Sequence, residues 1–146
     1  MRRRSVSNII KELTLAKENL GINYVTFYDE VFTFDKKWLK EFLGQYKKEI
    51  GIPFQCLTHP KYMDDDVARW LSDAGCQYVQ MGIQTMDDTF KVQSVKRYEK
   101  SDQVYQAMEV MRRHGLRPKV DHMFGLPGEP ESAQEAAREL YVRHPP

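Results

Sequence analysis

Polar residues able to bind a ligand or move a proton collect at four places in this 146-residue chain, each just after an apolar run. "VTFY" is followed by adjacent acids, Asp29 and Glu30, and "QCL" by Thr58 and His59. "MGI" is followed by Gln84 and Thr85, and "HMF" by Gly125, Pro127, Gly128 and Glu129. A carboxylate such as Glu30 suits a ligand ammonium group. Gln84 and Thr85 offer the neutral hydrogen bonds a ribose needs. Arg97 carries the planar fork that clamps a carboxylate. Any one of these groups also fits a loop cap or a solvated turn. Their joint placement says more than any one of them.

The loop "FGLPGE" looks at first like a phosphate cradle. It has neither GxxxxGK[ST] nor GxGxxG, and Glu129 would set a negative charge near the amides a phosphate needs. Two readings stay open. In one, the loop lets backbone pass close to a flat or neutral part of a ligand. In the other it is only a tight strand-to-helix turn, with glycine supplying the dihedrals and Pro130 starting the helix. His59, Asp29, Glu30, Asp121 and His122 also raise a barrel-hydrolase metal site. Asp121 and His122, however, are neighbours in a strand and point to opposite faces, and neither HxH nor HExxH occurs. A GxSxG nucleophile elbow is absent too.

The elements that must carry these groups alternate. "SVSNIIKELTLAKENL" places Val6, Ile9, Ile10, Leu13 and Ala16 on one helical face, with Ser5 or Ser7 to cap it and Gly21 to end it. "INYVTFY" then reads as a strand. A helix capped by Asp35 runs to Gly51, and "PFQCLTH" is the next strand. Asp64 caps "DDVARWLSDA", "CQYVQMGIQT" is the third strand, and a short helix is predicted from Asp87 to Val92. Ser101 caps "DQVYQAMEVMRRH", "RPKVDHMF" is the fourth strand, and helix resumes at Glu131. Four strands separated by helices imply right-handed parallel crossovers, with the polar groups at the strands' carboxyl ends, where such folds build their sites. The fold class is α/β, an incomplete parallel (β/α) barrel.

Composition agrees with one globular domain over residues 1–146. Apolar residues make up 41% and charged residues 29%, and the net charge is +1 with the signs interspersed. That balance gives no footprint for nucleic acid. No run approaches the roughly 18 apolar residues of a membrane span. "MRRRSVSN" lacks the apolar stretch of a signal peptide. Cys56 and Cys76 read as buried thiols, so the expected compartment is the cytoplasm.

An ammonium site at Glu30, a carboxylate clamp at Arg97, ribose donors at Gln84 and Thr85 and backbone for adenine at "MFG" are together compatible with S-adenosylmethionine. "RRRSVSNIIKEL", "VTFYDEVFTFDKKWLKEF", "GCQYVQMGIQT", "VKR" and "HMFGLPGE" resemble the radical S-adenosylmethionine enzymes, in particular the branch associated with a cobalamin-binding domain. The resemblance runs to about Glu129. It implies a six-unit partial barrel, of which this chain matches the stretch from the first helix to the fifth. It also implies that "YDE", Tyr28 with Asp29 and Glu30, meets the methionine amino group. Gln84 and Thr85 would meet the ribose, Arg97 the methionine carboxylate, and Met123 and Gly125 the adenine. Asp121 replaces the first glycine of the family's GxIxGxxGE motif.

The family holds a 4Fe–4S cluster through CxxxCxxC, which this sequence lacks. Three thiolates are needed to hold such a cluster with one iron open, and two distant cysteines do not supply them. The expectation is therefore a piece of a radical enzyme, lacking the first strand and cluster loop and shortened at both ends. The parent would cleave S-adenosylmethionine reductively and start methyl transfer or a rearrangement, with cobalamin as a further possible cofactor. The isolated chain is expected to be inactive, or to associate with missing barrel segments or with itself through exposed sheet edges. A non-enzymatic α/β remnant and a metal-dependent barrel hydrolase or lyase are the other two readings.

Overall fold

The structure, a computed structural model, describes residues 4–145. Helix α1 (Val6–Leu20) is capped by Ser5, whose Oγ accepts the Asn8 N–H at 3.3 Å, and it ends at Gly21 with φ 62°. Strand β1 (Val25–Phe27) follows, then α2 (Lys36–Glu49), capped by Asp35 through the Trp38 N–H. Next come β2 (Phe54–Thr58), a single 3₁₀ turn (Pro60–Tyr62), and α3 (Asp65–Asp73), capped by Asp64. Strand β3 (Cys76–Gln84) is followed by a short α4 (Asp88–Phe90) that runs into one π-helical turn (Lys91–Val95). Helix α5 (Ser101–Arg113), β4 (Arg117–His122) and α6 (Glu131–Arg143) complete the order.

All strand pairs are parallel and the spatial order is β1-β2-β3-β4, the order of the sequence. Right-handed crossovers in an unreversed order place every helix on the same face. The result is an α/β partial barrel: a curved sheet with helices outside and one open face. Alternation along the strands follows. Phe54, Cys56 and Thr58 of β2 and Val79, Met81 and Ile83 of β3 are buried under the helices. All of these but Thr58 meet Leu39, Phe42, Tyr46, Val67, Leu71 and Met108 in one core. Phe27 anchors it from β1, stacked on Phe32 at 4.7 Å and edge-on to Phe42, Tyr46 and Phe54.

The opposite face is polar. Gln55 donates to Thr26 Oγ1, Lys119 donates to Gln55 Oε1 at 2.7 Å, and Gln80 donates to Asp121 Oδ2 at 2.9 Å. Closed barrels fill this side with bulky apolar layers. Here a hydrogen-bonded ladder of side chains takes their place.

Three expectations are corrected. Strand β1 is three residues long rather than seven, because it pairs with β2 alone and Tyr24 and Tyr28 fall outside the ladder. Ser101 is the first helical residue of α5, not its cap. Its Oγ lies 2.7 Å from Asp88 Oδ1 and 2.9 Å from the Met86 carbonyl, and Lys100 takes the cap position. Pro130 caps α6 rather than opening it, and Glu131 is the first helical residue. Among the described residues no helix is long and apolar enough to cross a membrane.

Candidate functional site

The carboxyl ends of the strands carry most of the predicted groups. After β1 the chain turns through residues 28–33, and two contacts pin that turn onto β2. The Phe32 N–H donates to the Leu57 carbonyl at 3.0 Å, and the buried hydroxyls of Thr33 and Thr58 meet at 2.5 Å. Glu30 thereby reaches a cleft of about 280 Å³ that it shares with Thr58, His59, Gly82, Arg97 and Asp121. Asp29 points elsewhere, into a cleft of about 510 Å³ beside Arg4, Glu12 and Trp38. Tyr28 is exposed and lines neither cleft. The adjacent acids thus part, and only Glu30 faces Arg97 across a common space.

Arg97 lies over β3. Its Nη2 donates to the Gly82 carbonyl at 2.9 Å and its Nε donates to Glu99 Oε1 at 2.6 Å. Gly82 makes this approach possible. A Cβ there would stand 3.3 Å from Arg97 Nη1 and 2.8 Å from Gln84 Nε2. A glycine inside a strand often marks such close approach.

Glu99 has a nearly buried carboxylate, 2% exposed. Its other oxygen meets His59 Nε2 at 3.2 Å. His59 Nδ1 accepts the Lys61 N–H at 3.1 Å, so the proton of the neutral ring sits on Nε2 and points at Glu99. Burial is the leading cause that holds the pKa of His59 below its ordinary value; Arg97 and Lys61 add to it, and Glu99 opposes it.

Strand β3 ends in strain. Gln84 has φ 61°, and the Thr85 N–H donates to the Ile83 carbonyl at 2.7 Å, a tight γ-turn of the rare positive-φ kind. Such strain persists only where the surroundings enforce it. Here the Gln84 carbonyl accepts the Met123 N–H at 2.9 Å, carrying the β3–β4 ladder one step beyond the Gln84–His122 pair. Met123 is 40% exposed and Gly125 is exposed, with φ 72°.

Thr85 is fully buried. Its hydroxyl donates to Glu129 Oε1 at 2.5 Å and accepts the Asp87 N–H at 3.3 Å. It therefore ties the 123–129 loop to β3 instead of facing the cleft. Behind that tie sit three buried polar atoms without a hydrogen-bond partner among the described residues: Lys91 Nζ, His122 Nε2 and Glu129 Oε2.

Sequence reasoning missed Glu99, Gly82 and Lys91. Glu99 stands two residues after Arg97, and Gly82 is an isolated glycine in an apolar strand, which are the signals that point to them. For the candidate metal set, no group of three or more His, Cys, Asp and Glu among the described residues is placed to hold an ion. Cys56 and Cys76 are free and buried. The hydrogen bond with Cys76, then burial, pushes the Cys56 thiol well up. Two thiols buried inside the core, one fewer than the three a cluster with an open iron needs, do not fit the ligand set of an iron–sulfur cluster.

Comparison with known proteins bears on this arrangement. The chain is 24% identical over 133 residues to the uncharacterized methyltransferase PH0819 of Pyrococcus horikoshii, covering 90% of this chain and 29% of that protein. It superposes with a TM-score of 0.80, at 19% identity, on the radical S-adenosylmethionine methyltransferase TsrM of Kitasatospora setae, solved with cobalamin and a 4Fe–4S cluster bound; 97% of this chain and 29% of TsrM are covered. On the cobalamin-dependent S-adenosylmethionine radical enzyme OxsB, solved with aqua-cobalamin, the TM-score is 0.74 at 16% identity, covering 95% of this chain and 22% of that one. The chain therefore spans under a third of the length of these relatives. The model of the Radical SAM superfamily matches residues 1–140. The chain belongs to the Radical SAM superfamily.

Proposed function

We propose that this chain supplies the S-adenosylmethionine-binding strand ends of a radical S-adenosylmethionine methyltransferase. The observation that carries the reading is the cleft of about 280 Å³ that Glu30, Gly82 and Arg97 line together. A carboxylate and a guanidinium across one cleft complement the ammonium and carboxylate of the methionine end. Gln84, whose amide lies beside Gly82, is the ribose donor in this reading, with Thr85 supporting it from below. Met123 and Gly125 present exposed backbone to adenine at the end of β4. Asp29 and Tyr28 flank the turn that presents Glu30. Methyl transfer is favoured because both PH0819 and TsrM are methyltransferases by name.

In this superfamily the bound cluster supplies the electron that cleaves S-adenosylmethionine. The residues present here do not fit that cluster, so its thiolates are not assigned to this chain. TsrM and OxsB were solved with cobalamin. In this reading cobalamin is a cofactor of the parent protein.

The test is calorimetric titration of the chain with S-adenosylmethionine and with 5′-methylthioadenosine, which lacks the amino-acid end. Charge-assisted hydrogen bonds to that end predict about ten-fold tighter binding of S-adenosylmethionine, lost in Glu30→Gln without change in methylthioadenosine binding. Equal affinity for the two ligands, or no binding of either, sinks the proposal.

A further inference from the structure

Arg97 is held in place by a relay that the binding reading leaves unexplained. The chain reaches Arg97 through Lys96, a non-glycine residue with φ 58°, directly after the π-helical turn. The Arg97 N–H then bonds the Lys91 carbonyl at 3.1 Å, turning the side chain back over β3. Two of its donor groups are engaged, Nε by Glu99 and Nη2 by Gly82, while Nη1 has no hydrogen-bond partner among the described residues. Nη1 lies next to the open backbone of Gly82, at the wall of the cleft that holds Glu30.

Glu99 is a buried charge whose two oxygens have different partners, Arg97 at 2.6 Å and His59 at 3.2 Å. A carboxylate so enclosed needs compensating donors. Arg97 supplies a formal charge and His59 a neutral N–H. His59 is in turn fixed by the Lys61 N–H, so the chain of contacts runs Lys61 backbone, His59, Glu99, Arg97. A long arginine side chain loses much rotamer freedom on binding, and a partner that restricts it beforehand lowers that cost.

We propose that Glu99, oriented by His59, is a positioning residue: it pre-sets the Arg97 guanidinium so that Nη1 faces the carboxylate of an α-amino acid group in the cleft. This rests on the reading of the cleft as the methionine end of S-adenosylmethionine. Glu99 itself does not touch the ligand.

The experiment compares S-adenosylmethionine with 5′-methylthioadenosine by calorimetry on the intact chain. The quantity read is the ratio of the two affinities. A general structural role of Glu99 would change both affinities together and leave the ratio alone. In Glu99→Gln the ratio falls to within about three-fold of unity, since the charge-assisted hold on Arg97 is gone. Methylthioadenosine affinity stays the same, and Arg97→Ala behaves alike. If Glu99→Gln does not fold, His59→Ala and His59→Gln decide the matter, because the amide can still donate to Glu99 and the methyl cannot. The ratio is then reduced in His59→Ala and kept in His59→Gln.

An unchanged ratio in Glu99→Gln beside a collapsed one in Arg97→Ala overturns the positioning role and leaves the cleft reading standing. So does an identical ratio in the two His59 variants. A wild-type ratio near unity overturns the cleft reading, and this inference with it.

Discussion

His59 and His122 both titrate below the ordinary imidazole value of 6.5, and burial is the leading cause for each. For His59, Glu99 raises the value and Arg97 lowers it; for His122, Glu129 raises it and Lys91 lowers it. His122 Nδ1 lies 2.9 Å from the Tyr141 hydroxyl and its Nε2 is buried without a partner among the described residues, so the ring gains nothing there from a second proton. A folded pKa below the unfolded one means that the unfolded chain binds more protons as pH falls through 6.5. Stability is therefore fully present above that value and declines below it. Asp88 acts in a separate window. Burial pushes its pKa up, but hydrogen bonds from Ser101 and the charge of Lys91 bring it below the usual 3.8, so its contribution is lost only at more acid pH. Urea midpoints measured from pH 8 to pH 5 should fall, and a His59→Gln/His122→Gln double variant should fall less steeply. Parallel curves for the two proteins would show that neither histidine is held neutral by the fold.

The π-helical turn between α4 and α5 is the element where local preference and structure disagree most. Lys96 closes it with φ 58°, a conformation that costs a side-chain-bearing residue about 1 kcal/mol and costs glycine almost nothing. Lys96 is exposed; its backbone N–H donates to the Lys91 carbonyl, and its Nζ donates to the Gln93 carbonyl at 2.8 Å. Replacing it with glycine is expected to raise stability by about 0.5–1 kcal/mol, read as a higher urea midpoint with an unchanged slope. A lower midpoint would mean that the lysine stem, not the backbone, holds this turn.

The same turn marks where sequence reading stopped. Helices α1, α2 and α3 were legible because each has an oxygen-bearing cap before an apolar stripe, at Ser5, Asp35 and Asp64. Strands β2 and β3 were legible because their alternation is set by one buried face. "KVQSVKRYEK" has neither periodicity nor a glycine, so nothing in it announced a π turn or the return of Arg97 over Gly82. The parting of Asp29 from Glu30 and the burial of Thr85 are likewise set by contacts distant in sequence, Phe32 with Leu57 and Thr85 with Glu129.

At the scale of the whole molecule the sheet has two margins unpaired among the described residues, because β1 and β4 each bond a single neighbour. Strand β1 offers only three residues, too few for a strong edge. Strand β4 is longer, and its pairing fixes which amides face outward. The Met123 N–H points at β3, so with strict alternation Pro118, Val120 and His122 direct their backbone away from β3. Pro118 has no N–H to offer, which is why proline is tolerated there, and it leaves Val120 and His122 as outward donors. The isolated chain should therefore self-associate weakly through β4, with a sedimentation coefficient that rises with concentration. Pro118→Val restores the missing donor and should strengthen that association while leaving the β3–β4 ladder intact, since the new N–H faces away from β3. A chain that sediments as one monomer at every concentration, and does so equally in Pro118→Val, would show that this margin is already protected by its twist and by the packing of α6.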